Sequence, residues 1–232
     1  MFNICLANIN IGIDNKYPYI ENMCRDYITS DDTDFTVSVT DAEIMREDDG
    51  SGADAGYLET LAVYRKIADK IIDYNGFLMH GVIIDVDGVG TAFLAKSGTG
   101  KTTHMCLWKQ LLGDRMTVVN GDKPLVRIID GKVYAYGTPW AGKENIHCNT
   151  RTSLDNICIL KRATENECIE LSKDSVFVNL FTQVYRPVSG AAVAKTIDLL
   201  NEVINKSSFY EIRCNMDLSA AKTAYEKIFE TF

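Results

Sequence analysis

The chain has 232 residues, of which 46% are hydrophobic, so it is long enough to bury a substantial core. Its formal net charge of -8 repels nucleic acid and anionic membrane surfaces, and we expect it to bind neither. The 7 cysteines are scattered and contain no C-x-x-C pair, which argues against a disulfide framework and a structural zinc site. This cysteine pattern favours free, reduced thiols and a cytoplasmic location. From the sequence we expect neither an export leader nor a membrane-spanning segment.

The first third of the chain predicts a small group of strands followed by a helix. Short apolar runs at 3–13 and 35–39 indicate two or three strands, separated by acidic loops. Between 56 and 74, apolar residues recur at three- and four-residue spacing, which is typical of an amphipathic helix. We interpret residues 1–75 as an N-terminal elaboration of one domain that spans 1–232.

Residues 76–232 predict a core in which hairpins alternate with strand-helix units. Asp87-Gly88 and Asp130-Gly131 are turn signals, each between two apolar runs. The predicted strands are 77–80, 82–86, 91–94, 116–120, 125–129, 133–136, 156–160, 168–171 and 210–214. The predicted helices are 102–112, 174–182, 188–205 and 217–229. This pattern favours the α/β class, with a mixed sheet and flanking helices.

One segment carries a chemical signature. Residues 95–103, AKSGTGKTT, match the phosphate-binding loop with alanine in place of its first glycine, and we name this segment the glycine-rich loop. Gly98 and Gly100 allow the backbone amides to converge on phosphate oxygens at a helix N-terminus. Lys101 is suited to reach the β and γ phosphates, and the Thr102 hydroxyl to bind magnesium. The alternative is a glycine-rich turn that merely begins a helix.

The nucleotide-binding residues predicted from this loop are Ser97, Gly98, Thr99, Gly100, Lys101, Thr102 and Thr103. A second metal ligand is expected from a carboxylate at the end of a neighbouring strand, and Asp122 follows the apolar run at 116–120. Its alternative role is to form a turn. ATP and Mg²⁺ are therefore the expected cofactors.

The stretch 80–143 resembles the nucleotide-binding core shared by bacterial HPr kinase/phosphorylases and phosphoenolpyruvate carboxykinases. The resemblance rests on LMHG at 78–81, the glycine-rich loop and NGDKP at 120–124. In that superfamily a histidine spaced like His80 faces the transferred phosphate or the metal. Otherwise a lone histidine is more often a core residue.

The chain looks most like small HPr-kinase-like proteins, including those that phosphorylate serine in ribosomally made peptides. This likeness extends to GTPWAGK at 137–143, QVYRP at 183–187 and FYEIRC at 209–214, and so covers most of the chain. It adds Lys143 and Arg186 as candidates for holding the phosphoryl group in transit, with ordinary surface charge as their alternative. The carboxykinases' oxaloacetate-binding domain has no counterpart here, so decarboxylation is not expected.

One residue departs from the family pattern. Relatives usually carry two adjacent acidic residues after the strand, and here the first is Gly121. In HPr kinases that first aspartate is the base for the hydroxyl proton, so the resemblance gives Asp122 a metal role but gives Gly121 no role as base. Phosphoryl transfer depends chiefly on positioning and charge neutralisation, and His80 or Glu144 are substitutes to consider.

The sequence therefore predicts an ATP-dependent kinase whose acceptor is a hydroxyl, foremost a serine of a peptide or protein. A non-catalytic ATP-binding sensor or scaffold is the first alternative, motivated by Gly121, and a kinase of a small metabolite such as free serine is the second. The catalytic residues predicted are His80, Lys101, Asp122, Lys143 and Arg186. The resemblance also suggests a homo-oligomer, since HPr kinases assemble as hexamers.

Overall fold

The computed structural model describes residues 1–229 of the chain. The chain divides into two compact units, Met1–Tyr74 and Asn75–Phe232. The glycine-rich loop and every predicted site residue belong to the second unit. No helix among residues 1–229 is long and apolar enough to cross a membrane.

The first unit is a small sheet with helices. Its strands are β1 (Phe2–Leu6), β2 (Ile9–Asp14) and β3 (Phe35–Ser38), and its helices are α1 (Tyr19–Met23), α2 (Asp41–Met45) and α3 (Ala55–Lys70). Strand β1 pairs with β2 in an antiparallel hairpin, and β2 pairs with β3 in parallel. The side chain of Glu59 in α3 is fully buried and accepts the backbone N–H groups of Lys16 and Tyr17. Because an unpaired buried carboxylate is costly, these bonds fix the loop after β2 against the helix.

The second unit contains a six-stranded sheet, a four-stranded sheet and four helices among its described residues. The strands are β4 (Gly76–Leu78), β5 (Val82–Val86), β6 (Val89–Leu94), β7 (Met116–Asn120), β8 (Leu125–Ile129), β9 (Lys132–Tyr136), β10 (Arg151–Ser153), β11 (Asn156–Arg162), β12 (Glu167–Glu170) and β13 (Ser208–Cys214). The helices are α4 (Lys101–Leu112), α5 (Phe177–Phe181), α6 (Gly190–Lys206) and α7 (Leu218–Phe229).

The six-stranded sheet has the order β12-β13-β11-β6-β5-β7, and the four-stranded sheet has the order β10-β9-β8-β4. Strand β11 lies between β6 and β13 and runs parallel to both. Strand β5 is antiparallel to its two neighbours, β6 and β7, so β7 runs in the same direction as β6. The carboxyl ends of β6, β7 and β11 therefore meet at one edge of the sheet, which is where ligands bind in open α/β sheets.

Alternating residues of the six-stranded sheet face two different cores. Ile83, Ala92 and Ile157 belong to one core, which includes apolar residues of α6 and of the four-stranded sheet. Ile84 and Phe93 belong to the other, which includes residues of α4 and α7. The two-residue period of a strand produces this division, and it covers both faces of the sheet.

The predicted α/β class with a mixed sheet is confirmed, and the two predicted hairpin turns form. Asp87 and Gly88 join β5 to β6, Asp130 and Gly131 join β8 to β9, and all four have positive φ angles. The single helix expected at 174–182 is wrong, because a 3₁₀ turn at Lys173–Ser175 precedes a separate, five-residue α5. The short elements α1, α2 and β10 were not predicted from the sequence.

Candidate functional site

The glycine-rich loop joins the end of β6 to the start of α4. Its two glycines have left-handed backbones, with φ of +74° at Gly98 and +119° at Gly100, and a Cβ at either position would meet nothing within 4 Å. Glycine is required here for its conformation and not for lack of space. Gly100 is the N-cap of α4 and makes no side-chain cap, so the first N–H groups of the helix face the loop. Such groups form an anion site.

Lys101 lies at the mouth of this loop. Its Nζ donates to the Ala95 carbonyl at 3.0 Å and lies 3.4 Å from Nε2 of His80. Burial lowers the pKa of Lys101, and the negative charge of Asp122 offsets part of that effect. The ammonium group is therefore partly desolvated and close to a carboxylate, which makes its interaction with an incoming anion stronger than in bulk water.

His80 and Asp122 contact each other beside Lys101. Nε2 of His80 is 3.2 Å from Oδ1 of Asp122, and the two side chains are 39% and 23% exposed. Burial alone would raise the pKa of Asp122, but the hydrogen bond from His80 and the charges of Lys123 and Lys101 outweigh it, so the pKa lies below its ordinary value. The structure thus brings together three residues that are distant in sequence, and all three remain accessible to a ligand.

Backbone pairing holds His80 and Asp122 in place. The N–H of Gly81 donates to the Asp122 carbonyl at 2.8 Å, and the N–H of Met79 donates to the Pro124 carbonyl at 3.1 Å. The N–H of His80 donates to the Gln183 carbonyl at 2.7 Å. The segment that carries His80 is therefore bonded on one side to the turn after β7 and on the other to the segment after α5.

The side chain of Asn120 shapes the turn that carries Asp122. Asn120 is fully buried, and its Oδ1 accepts the N–H groups of Asp122 and Lys123 at 2.8 and 2.7 Å. Its Nδ2 donates to the carbonyl and to the hydroxyl oxygen of Thr138 at 3.0 and 3.1 Å. An asparagine in this role fixes the backbone as a turn would. In the sequence, Asn120 stands out only as part of the NGDKP motif and its turn, and nothing there signals this role of its side chain.

Gly121 is enclosed by backbone. Its N–H donates to the Ile146 carbonyl at 2.9 Å, and a Cβ at this position would lie 3.1 Å from that same oxygen and 3.2 Å from the Ala141 carbonyl oxygen. Gly142, with φ of +76°, lies against Asp122, and a Cβ there would be 3.1 Å from the Asp122 Cβ. The segment 141–146 therefore occupies the space into which a side chain at position 121 would extend.

The donors near the loop fit magnesium better than a softer metal. Asp122 offers a carboxylate, and Thr102 offers a hydroxyl on the first turn of α4. Among residues 1–229 no group of three or more His, Cys, Asp and Glu side chains could hold a metal ion. Mg²⁺ is commonly bound by one or two protein oxygens together with substrate phosphates and water, and this donor set matches that habit.

The other predicted residues vary in their placement. Ser97 is exposed, whereas Thr99 and Thr103 are half-buried. Lys143 and Arg186 are exposed, and neither has a hydrogen bond or ion pair to the Lys101 cluster or to any other residue of the described part of the chain. Each is nonetheless near in sequence to a segment of the site, since Lys143 follows Gly142 and Arg186 follows the 183–185 segment.

An unanticipated residue, Arg162, contacts the glycine-rich loop. It is the last residue of β11, and its Nε donates to the Thr99 carbonyl at 3.1 Å while Nη2 donates to the Gly98 carbonyl. The two carbonyls therefore point towards β11. Nothing in the sequence specifically signals Arg162, which follows the predicted strand 156–160 by two residues.

No protein-family model matches this chain. No curated protein matches it either. Among solved structures, the Hpr(Ser) kinase/phosphatase from Coxiella burnetii is similar over 55% of this chain and 88% of that chain, with 9% sequence identity and a TM-score of 0.30. A likeness this weak indicates at most a distant relationship of fold. The proposal below therefore rests on the residues of the site.

Proposed function

We propose that this protein is an ATP-dependent kinase that transfers the γ phosphoryl group to a hydroxyl. The observation that carries the proposal is the meeting of Lys101, His80 and Asp122 at the mouth of a glycine-rich loop that precedes a helix N-terminus. A cation, a carboxylate and an imidazole beside an anion cradle are the groups that phosphoryl transfer needs. A serine hydroxyl, either of a peptide or protein or of the free amino acid, is the acceptor to test first.

Each group has a distinct role in this proposal. The amides from Gly100 onward and the ammonium of Lys101 bind the β and γ phosphates and oppose the charge that develops on them. Asp122 and Thr102 would hold Mg²⁺, which when bound neutralises phosphate charge and orients the γ phosphoryl group. Asn120 acts through Asp122, because it fixes the turn from which the carboxylate projects.

In the transfer step, the acceptor oxygen bonds to the γ phosphorus while the bond from that phosphorus to the β-γ bridging oxygen breaks. ADP leaves with the bonding electron pair, and the hydroxyl proton passes to the imidazole of His80. His80 is the accessible imidazole next to Lys101, and its contact with Asp122 orients the ring. Gly121 supplies no carboxylate for this purpose.

A non-catalytic nucleotide-binding module is the second candidate, and the enclosure of Gly121 favours it. The site has no acidic side chain at that position, and the segment 141–146 leaves little room for one. In this version the glycine-rich loop and Lys101 bind ATP, and no acceptor reacts. Binding of nucleotide without transfer is the behaviour that distinguishes it.

The decisive experiment combines purified protein, ATP labelled at the γ phosphate, Mg²⁺, and either free serine or a seryl peptide. The kinase proposal expects label in one acceptor, a fall of at least 100-fold in kcat for Asp122→Asn, and a fall of about 10²-fold or more for His80→Gln. Lys222→Ala, an exposed substitution on α7, is the control and leaves the rate unchanged. Tight ATP binding with no label in any acceptor would instead establish the second candidate.

A further inference from the structure

A cleft lies beside the glycine-rich loop, on the side away from β7. Its volume is about 520 Å³, and it is bounded by residues 96–99 of the loop, the carboxyl ends of β6 and β11, and the α5 region. Strand β11 is the neighbour of β6 on this side, whereas β7, which leads to Asp122, lies two strands away on the other side. A cleft of this size suits a small molecule.

Two cationic side chains at this cleft are available to a ligand. Lys96 is exposed and forms no ion pair within the described part of the chain. Arg162 uses Nε and Nη2 to hold the loop carbonyls, and its Nη1 keeps further donors for a ligand. Lys161, also at the cleft, is different, because its Nζ is paired with Glu211 at 2.6 Å. The cleft therefore favours a ligand that carries a negative group.

The opposite wall of the cleft is polar, and one of its side-chain oxygens lacks a hydrogen-bond partner within the described residues. Asn179, Thr182 and Gln183 line it, and the Thr182 hydroxyl donates to the Asn179 carbonyl at 2.9 Å. The side-chain oxygen of Gln183 is buried and has no hydrogen-bond partner among residues 1–229. Buried polar atoms are nearly always paired, so this oxygen calls for a donor such as an amino group. The backbone of Gln183 also binds His80, which links this wall to the transfer site.

We propose that this cleft binds the phosphoryl acceptor, and that the acceptor is a small hydroxy amino acid of about the size of free serine. Its amino group donates to the side-chain oxygen of Gln183, its carboxylate faces Lys96 and Arg162, and its hydroxyl is left free for the transfer step. This inference rests on the proposed function, because it assumes that the glycine-rich loop holds the phosphoryl donor. The floor of Leu94, Ile159 and Leu160 is apolar and accommodates a short carbon chain.

The test compares two probes, L-serine and serinol, which share a hydroxyl and an amino group and differ in the carboxylate. With ATP and Mg²⁺ present, Lys96→Met should raise the KM for serine at least tenfold, and by at least five times more than it raises the KM for ATP. The KM for serinol should change less than threefold. Gln183→Leu should raise the KM for both probes. The matched control is Lys161→Met, which removes a neighbouring cation that is already paired and should leave the KM for serine within twofold.

Binding of serine to the protein saturated with ADP and Mg²⁺ gives a second readout, which is independent of turnover. Tenfold weaker binding to the Lys96→Met and Gln183→Leu variants supports the cleft even if transfer proves too slow to measure. Equal loss of ATP and serine binding would assign the cleft to the nucleotide and overturn the proposal, as would label that enters a seryl peptide but not serine. If the wild-type protein did not bind ATP at all, the proposed function itself would be refuted.

Discussion

The two backbone turns that flank Lys101 are built in opposite ways. The turn that follows β7 is closed, because Asn120 is buried and satisfies the N–H groups of both Asp122 and Lys123. The glycine-rich loop that follows β6 is open, since the Cβ positions of Gly98 and Gly100 have no neighbour within 4 Å. A rigid turn holds a carboxylate in one place, and an open loop leaves amides for a ligand. The site thus combines a fixed group with an incomplete cradle.

The largest expected effect is on nucleotide binding by the open glycine-rich loop. Lys101→Ala removes the ammonium that lies beside His80 and the Ala95 carbonyl, and ATP-Mg affinity should fall at least 1,000-fold, equivalent to about 4 kcal/mol. Calorimetric titration measures the dissociation constant, with Lys222→Ala as the control. If the variant still bound ATP within a few-fold of the wild type, the glycine-rich loop would not be the nucleotide site.

Substitutions in the closed turn after β7 should lower the stability of the fold. Asn120→Ala removes the hydrogen bonds that its buried side chain makes to two partly buried N–H groups and to Thr138, and the free energy of unfolding should fall by about 3 kcal/mol. Urea denaturation measures the change. Thr138→Val removes fewer hydrogen bonds of the same network and should cost about 1 kcal/mol. Equal losses for the two variants would contradict the idea that Asn120 is the centre of the turn.

The space next to the closed turn can be tested at Gly121. Because a Cβ there would lie 3.1 and 3.2 Å from two carbonyl oxygens, Gly121→Asp should lower the free energy of unfolding by about 2 kcal/mol and should not increase phosphoryl transfer. The matched control is Gly190→Asp at the first turn of α6, where the added Cβ meets nothing within 4 Å. A faster Gly121→Asp enzyme would show that segment 141–146 moves aside readily, and that an acidic base is what the chain lacks.

The smallest expected effect concerns the helix beneath the open loop. His104 in α4 is 2% exposed and accepts a hydrogen bond from Nε1 of Trp108 at 2.9 Å, and burial lowers its pKa to about 4. The unfolded chain takes up the proton near an ordinary pKa of about 6.5, before the folded state does, so stability is lost as the pH falls between those two values. By linkage, the shifted pKa of this histidine should lower the free energy of unfolding at pH 5.5 by about 1.4 kcal/mol relative to neutral pH.

The measurement for His104 is urea denaturation at pH 7.5 and pH 5.5. The control is His104→Gln, which keeps a side-chain oxygen for Trp108 but does not titrate. The wild type should lose more stability than this variant over the interval. Parallel losses would mean that His104 takes up its proton in the folded state without cost.

Local pattern predicted most of the second unit's framework, because apolar alternation and paired turn residues act over a few positions. The β5–β6 hairpin with Asp87 and Gly88 at its turn, and the helix ending at Gly113, are examples. The prediction of one helix at 174–182 was wrong, because this segment forms a 3₁₀ turn and the short helix α5, whose apolar residues pack into the core. Short elements such as β10 depend on their partner strand, here β9, more than on their own three residues.

Within the site, the loop motif in the sequence led to Lys101, and the position after a predicted strand led to Asp122. His80 was selected only through the family resemblance. Arg162 and Gln183 depend on which distant segments become neighbours. Arg162 reaches the loop only because β11 pairs in parallel with β6, and that pairing joins residues more than 60 positions apart. The enclosure of Gly121 likewise depends on the path of segment 141–146.

The contact from Arg162 also bears on how the glycine-rich loop meets its ligand. Because its guanidinium holds the carbonyls of Gly98 and Thr99, these peptide groups are already turned towards β11 before any anion arrives. Part of the conformational entropy of ordering this loop is therefore lost during folding and not on association. A preorganised loop of this kind binds more tightly than a disordered one with identical contacts.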